Sequence, residues 1–269
     1  MYLTDYHLHS TCSPDGEYTM AQMAKAAVDH GLQEICVTDH LDTIQWGTYA
    51  PRTDFPWPEA LRQAEEARRL WGDRLTIRLG AELGEAVLSF DRAEQMLSEA
   101  PKLDFVIGSV HMASQRFGHM DLYYLPKADI DYYQAMIADY LDDVLTLARW
   151  GKFQVLGHLT LPLRYIRKNA GLTMDFSAHL DRVEEIFRCI IPRGIGIECN
   201  TNRGDIPLPD RDILRLYRKM GGEIITIGSD AHSTEYVGCR AAETQQLLGE
   251  CGFRYFNTYT LGVPEFRPL

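Results

Sequence analysis

The sequence predicts an α/β fold in which parallel strands wrap into a closed or nearly closed barrel. Three observations carry this. Seven short apolar runs, rich in β-branched and aromatic residues, lack strict polar alternation, as strands buried on both faces do. Segments of helical period lie between them, and a repeated strand–helix order with right-handed crossovers builds a parallel sheet. Six of the nine histidines fall at the carboxyl ends of the apolar runs.

The first run is YLTDYHLH (2–9). The helix expected over 19–30 opens on Thr19 with Gln22 three positions later, a capping box, and Gly31 stops it. EICVTDH (34–40) precedes a helix over 58–71, and LTIRLGAEL (75–83) precedes one over 91–99. After LDFVIGSVH (103–111), the segment 129–149 places Ile130, Tyr133, Ile137, Tyr140, Leu141, Val144 and Leu147 on one helical face. FQVLGHL (153–159), a helix over 175–191, IGIECN (195–200) and a helix over 210–220 follow. EIITIGSDAH (223–232) and a helix over 240–249 end the series. No linker rich in Gly, Pro or Ser and no repeat divides the chain, so residues 1–269 are expected to form a single domain.

The 269 residues suffice for a full core, and 45% hydrophobic with 24% charged residues is ordinary for a soluble protein. With a formal net charge of −11 and no basic run, neither nucleic acid nor an anionic membrane is expected as a partner. A small anionic substrate remains compatible, because a few arginines or metal ions reverse the sign of a cleft. The six cysteines form no CxxC pair and read as reduced thiols. Asp5, His7 and His9 interrupt any signal-peptide core, and no apolar run is long enough to span a bilayer. A cytoplasmic location is expected.

The histidines at strand ends are His7, His9, His40, His111, His158 and His232; Glu82, Asp230 and Asp15 occupy equivalent places. In a β/α barrel these ends open onto one face. Six imidazoles and three carboxylates gathered there would repel or stay unpaired unless cations organised them. The strand period of two aims His7 and His9 the same way, so both can bind one ion. Imidazole with carboxylate suits Mn, Zn or Fe, and nine ligands fit two or three metals sharing a bridging carboxylate. His30 and His179 lie on expected helices and are set aside. Glu85, and His119 with Asp121 in the loop after the fourth strand, are further residues that could line the cleft.

HLHSTCSPDG, VTDH, GAEL, GSVH, LGHL and GSDAH, in this order from residue 7 to 232, resemble the motifs of the polymerase-and-histidinol-phosphatase (PHP) family. The resemblance implies a distorted (β/α)7 TIM-like barrel with a trinuclear metal centre. His7, His9, Glu82 and Asp230 would hold one metal, and Glu82 would bridge to a second held by His111 and His158. Asp15, His40 and His232 would hold a third. Arginines that grip the phosphate in this family correspond to Arg164 and Arg203. The length and the segment IECNTNRGD are similar to stand-alone members acting on L-histidinol phosphate in histidine biosynthesis. That implies attack by a metal-bridging hydroxide, with Asp230 or His232 protonating the leaving alkoxide. The same ligand set would serve nucleotides or another small phosphate ester. A non-catalytic or polymerase-associated metal-binding module is the other reading, against which the acidic balance counts.

Overall fold

The computed structural model describes residues 1–52 and 54–269. All seven expected strands form: β1 (Thr4–Leu8), β2 (Glu34–Val37), β3 (Thr76–Gly84), β4 (Phe105–Ser109), β5 (Val155–Leu156), β6 (Gly196–Asn200) and β7 (Ile225–Gly228). They pair in parallel in chain order, β1 beside β2 through to β7. The longest register runs Gly80–Gly84 against Phe105–Ser109. Every residue of β1, β2, β4, β5, β6 and β7 is buried, as unalternating apolar runs require.

β1 and β7 close the barrel at its carboxyl end. His9 N–H donates to Ala231 O at 2.8 Å, and Asp230 N–H donates to His7 O at 2.7 Å. Lower down the seam the buried carboxylate of Asp5 replaces the ladder. It accepts from Ser229 N–H at 2.9 Å, Gly238 N–H at 2.8 Å and His7 N–H at 3.2 Å. Such donors offset the cost of burying a charge.

The helices expected at 19–30, 58–71, 91–99, 129–149, 210–220 and 240–249 form as α1 (Met20–Asp29), α2 (Trp57–Trp71), α3 (Phe90–Glu99), α4 (Ile130–Trp150), α7 (Arg211–Lys219) and α8 (Ala241–Glu250). The Thr19–Gln22 capping box caps α1. The segment expected as helix over 175–191 begins regular helix only at α6 (Leu180–Ile190), because Asp175 Oδ1 takes Ser177 N–H at 2.9 Å and starts a turn. α5 (Pro162–Ala170) was not expected. It is nine residues long, with Pro162 in its first turn and Gly171 in the left-handed conformation after it (φ 70°). None of the helices described is long and apolar enough to cross a membrane.

A hairpin of β8 (Tyr255–Thr260) and β9 (Val263–Pro268) was likewise not foreseen. Its turn residues Leu261 and Gly262 both have positive φ (50° and 77°), the conformation that suits a two-residue hairpin. The hairpin plugs the amino end of the barrel. Tyr259 N–H donates to Tyr6 Oη at 2.8 Å, and the Tyr6 hydroxyl donates to Glu34 Oε1 at 2.7 Å. The Tyr6 and Phe105 rings meet edge to face with centroids 5.4 Å apart. Tyr6, Cys36, Phe105, Ile107, Val155 and Tyr259 fill the lower barrel as one buried cluster. The mouth at the opposite end is left for chemistry.

On α4, burial together with Asp139 and Asp142 pushes the Asp143 carboxyl up to about 6. The folded value exceeds the unfolded value of about 4, so folding carries a penalty that is full above about pH 6 and gone below about pH 4. Asp143→Asn should therefore raise stability near neutral pH by about 1 kcal/mol, allowing for solvent screening of a half-buried group. Urea unfolding at about pH 7.5 and about pH 3.5 checks this: a gain of equal size at both would rule out the electrostatic cause.

Candidate metal centre

The strand ends deliver their side chains to one place. His7 and His9, two residues apart at the end of β1, stand with ring centroids 5.2 Å apart, and both are fully buried. Glu82 on β3 is the hub. Its Oε2 lies 3.2 Å from His7 Nε2, 3.5 Å from His9 Nε2 and 3.1 Å from His40 Nδ1. Its Oε1 lies 2.9 Å from His158 Nε2 and 3.1 Å from His111 Nε2. Asp230 Oδ1 sits 3.9 Å from His7 Nε2 and 3.6 Å from His9 Nε2. At the outer edge, Asp15 Oδ2 is 2.9 Å from His232 Nε2 and its Oδ1 is 3.8 Å from His40 Nε2. All nine residues expected as ligands thus converge.

The donor set fits divalent metals. His7 Nε2, His9 Nε2, His40 Nδ1 and Glu82 Oε2 are buried and have no hydrogen-bond partner, yet crowd together. An unpaired buried polar atom costs about 1–3 kcal/mol, so four in one spot need a ligand. Ligand atoms of His7, His9 and Asp230, of His7, Glu82 and His158, and of His40, Glu82 and His111 come close enough for a shared ion. A further grouping joins His9, His40 and His232.

Outer partners hold the imidazoles in place. His7 Nδ1 pairs with Glu198 Oε1 at 2.7 Å, while Glu198 Oε2 accepts His158 N–H at 2.7 Å. His9 Nδ1 meets Ser13 Oγ at 3.0 Å; that hydroxyl donates to Asp39 Oδ1 at 2.8 Å. His111 Nδ1 faces Glu85 Oε2 at 3.2 Å, and its backbone N–H donates to Glu85 Oε1 at 2.6 Å. Such carboxylate–imidazole pairs set the ring orientation and raise ligand basicity. Gly228 makes the first pair possible, because a Cβ there would lie 2.3 Å from Glu198 Oε1 and 2.4 Å from the His7 Cβ. Glu85 and Asp230 both adopt left-handed backbone (φ 54° and 57°), strain of the kind stored at functional sites.

Charge follows the same layout. Burial lowers the basicity of His7, but Glu198 and Glu82 outweigh it and hold the imidazole well above its usual value. His9, buried and beside His232, falls to about 3. Burial opposes ionisation of Glu82, yet His7, His111 and His40 hold it well below the usual carboxylate range. Asp42 is the exception. Both its carboxylate oxygens are buried without a partner, and burial with the neighbouring Glu85 charge pushes it well up.

The cluster floors a cleft of about 860 Å³ whose wall includes Trp46, Asp121, Arg164, Tyr165 and Arg203. Arg164, in the first turn of α5, donates to Asn202 Oδ1 at 2.6 Å, Asp230 Oδ2 at 2.5 Å and Asn200 Oδ1 at 3.0 Å. Three of its five N–H bonds are used, which leaves two for a ligand. Arg203 reaches His232 Nδ1 at 3.0 Å through Nη2. Asp121 lines the cleft, whereas His119 does not. His30 bonds Val237 O at 2.7 Å and His179 bonds Gln134 at 2.6 Å, both outside it.

Sequence reading missed Glu198, Asp39 and Ser13. The signal for Glu198 was a charged residue inside the otherwise apolar run IGIECN, where a buried carboxylate needs a partner. Trp46 and Tyr165 had no distinguishing pattern.

A parallel β/α barrel whose mouth gathers imidazoles and carboxylates beside two arginines is built as a metal-dependent hydrolase. The chain belongs to the PHP domain family, whose model matches residues 5–202. It is 29% identical over 266 residues to a histidinol-phosphatase of Lactococcus lactis, covering 95% of this chain and 94% of the relative. It is 27% identical over 261 residues to a probable histidinol-phosphatase of Thermotoga maritima, covering 94% of each. The crystal structure of the histidinol phosphate phosphatase of Lactococcus lactis, complexed with zinc, L-histidinol and phosphate, superposes with a TM-score of 0.80 at 25% identity over 98% of both chains.

Glu198→Gln should weaken metal affinity about 10- to 100-fold, since the amide is a poorer partner for His7 Nδ1–H. Competition with a chromogenic chelator measures it; unchanged affinity would mean that Glu198 does not orient the ligand.

Proposed function

We propose that the chain is a phosphomonoesterase that hydrolyses L-histidinol phosphate to L-histidinol and phosphate, using two or three divalent metals. His7, His9, Glu82 and Asp230 would hold one, Glu82 with His111 and His158 a second, and Asp15, His40 and His232 a third. The observation that carries this is the cluster of unpartnered imidazole and carboxylate atoms beside two arginines. The substrate reading is supported by the name of the Lactococcus relative and by the molecules bound in its structure. Zinc in that structure and the mixed donor set support Zn, Mn or Fe.

Metals held here would acidify water and neutralise charge on the phosphoryl oxygens. The protein supplies the rest. The two N–H bonds of Arg164 not committed to Asn202, Asp230 and Asn200 can engage phosphate oxygens, and its three existing bonds fix the guanidinium beforehand. Arg203, exposed at the rim, adds a second guanidinium. Of the two residues considered for protonating the leaving alkoxide, Asp230 is the poorer donor. Burial would raise it, but Arg164 and His9 hold it well below the usual carboxylate range. His232, lowered by burial but raised more by Asp15 and Asp230, holds a proton more readily before a metal binds; as a ligand it would keep only the proton on its other ring nitrogen. A cytoplasmic location suits a biosynthetic enzyme whose six cysteines are all free.

The deciding experiment is a steady-state assay on L-histidinol phosphate with metal content measured in parallel. Turnover with more than one metal equivalent per chain is expected; nucleotide monophosphates turned over far faster would replace the substrate assignment. Arg203→Ala should lower kcat/KM at least about tenfold, the scale of one lost charge-assisted phosphate bond. Kinetics that do not change would return Arg203 to the solvated surface.

A further inference from the structure

The carboxylates around the cleft have different partners. Asp15 and Asp230 lie against imidazoles, Asp205 pairs with Arg167 at 2.7 Å, and Glu17 stands in solvent. Asp121, half-buried, is the exception: among the described residues it has no cationic partner. The charged groups that act on it are His111, already committed to Glu82 and Glu85, and the like-charged Glu85 and Asp15. Asp121 Oδ1 accepts Tyr123 N–H at 2.8 Å, which fixes the side chain at the start of a short turn, Leu122–Tyr124. Among the described residues the side chain makes no other hydrogen bond, and it lines the cleft.

A fixed, partly desolvated carboxylate without a counter-ion is complementary to a cation. The cleft volume of about 860 Å³ far exceeds a phosphate, so it has room for an organic group as well. The arginines that suit phosphate come from the segments after β5 and β6, whereas Asp121 comes from the loop after β4. Resting on the phosphatase reading above, we infer that Asp121 is the subsite for the ammonium group of a phosphorylated amino alcohol. It would then decide specificity: an ester lacking the amine leaves a half-buried carboxylate unpaired.

Asp121→Asn isolates the charge, because asparagine keeps the cap on Tyr123 N–H. In manganese-loaded protein, the variant is compared with wild type on L-histidinol phosphate and on its des-amino counterpart. Titration calorimetry with L-histidinol and with inorganic phosphate runs alongside. Asp121→Asn should lower kcat/KM about 30-fold or more for the amine ester and less than about threefold for the des-amino ester. L-Histidinol affinity should fall in proportion while phosphate affinity holds, and Asp121→Glu should recover part of the preference. Equal losses on both esters, or a preference that survives, would overturn the assignment. If wild type hydrolyses neither ester, the phosphatase reading fails by itself and calorimetry judges the subsite. There, L-histidinol binding that is absent, or as tight in Asp121→Asn, rejects it.

Discussion

One buried carboxylate organises this protein. Glu82 stands within 3.5 Å of five imidazoles drawn from four other strand ends, and Ser109 donates to it at 2.7 Å. A carboxylate taken fully out of water is tolerable only where opposite charge and donors surround it. That requirement reaches far into the fold. The five partners come from β1, β2, β4 and β5, so an open sheet could not bring them around one point, whereas a closed barrel does. The seam between β1 and β7, held by main-chain bonds and by Asp5, therefore serves the site as directly as any ligand.

Around that hub, structural economy gives way to positioning. Gly84 lies so close to Asp42 that a Cβ would fall 1.9 Å from its carboxylate, and Gly228 is similarly hemmed by Glu198 and His7. These glycines are the last residues of β3 and β7, at the edge of the site. Here they make room for buried carboxylates. Left-handed backbone at Glu85 and Asp230 has the same meaning: conformations that local preference disfavours persist because surrounding contacts determine them.

Much of this was legible in the sequence, for a physical reason. Parallel strands buried on both faces leave apolar runs that need no partner to be recognised, and barrel geometry then puts their carboxyl ends together. That is why nine scattered residues read as one cluster. Glu198 was not read that way, since one acid within IGIECN is ambiguous until its partner His7, 191 positions earlier, is placed against it. α5 escaped because nine residues opening on Pro162 are too short a run for a helical period to declare itself. The hairpin escaped because its exposed strand β9 mixes proline and charge, and its support comes from Tyr6 and Phe105 far away in the chain.

That hairpin makes the barrel a vessel with one opening. With Tyr259, Tyr6 and Phe105 stoppering the far end, whatever enters by the mouth must leave by it. A phosphate ester entering phosphate first leaves its organic half nearer the exit. Both products of its hydrolysis would then share that single route out.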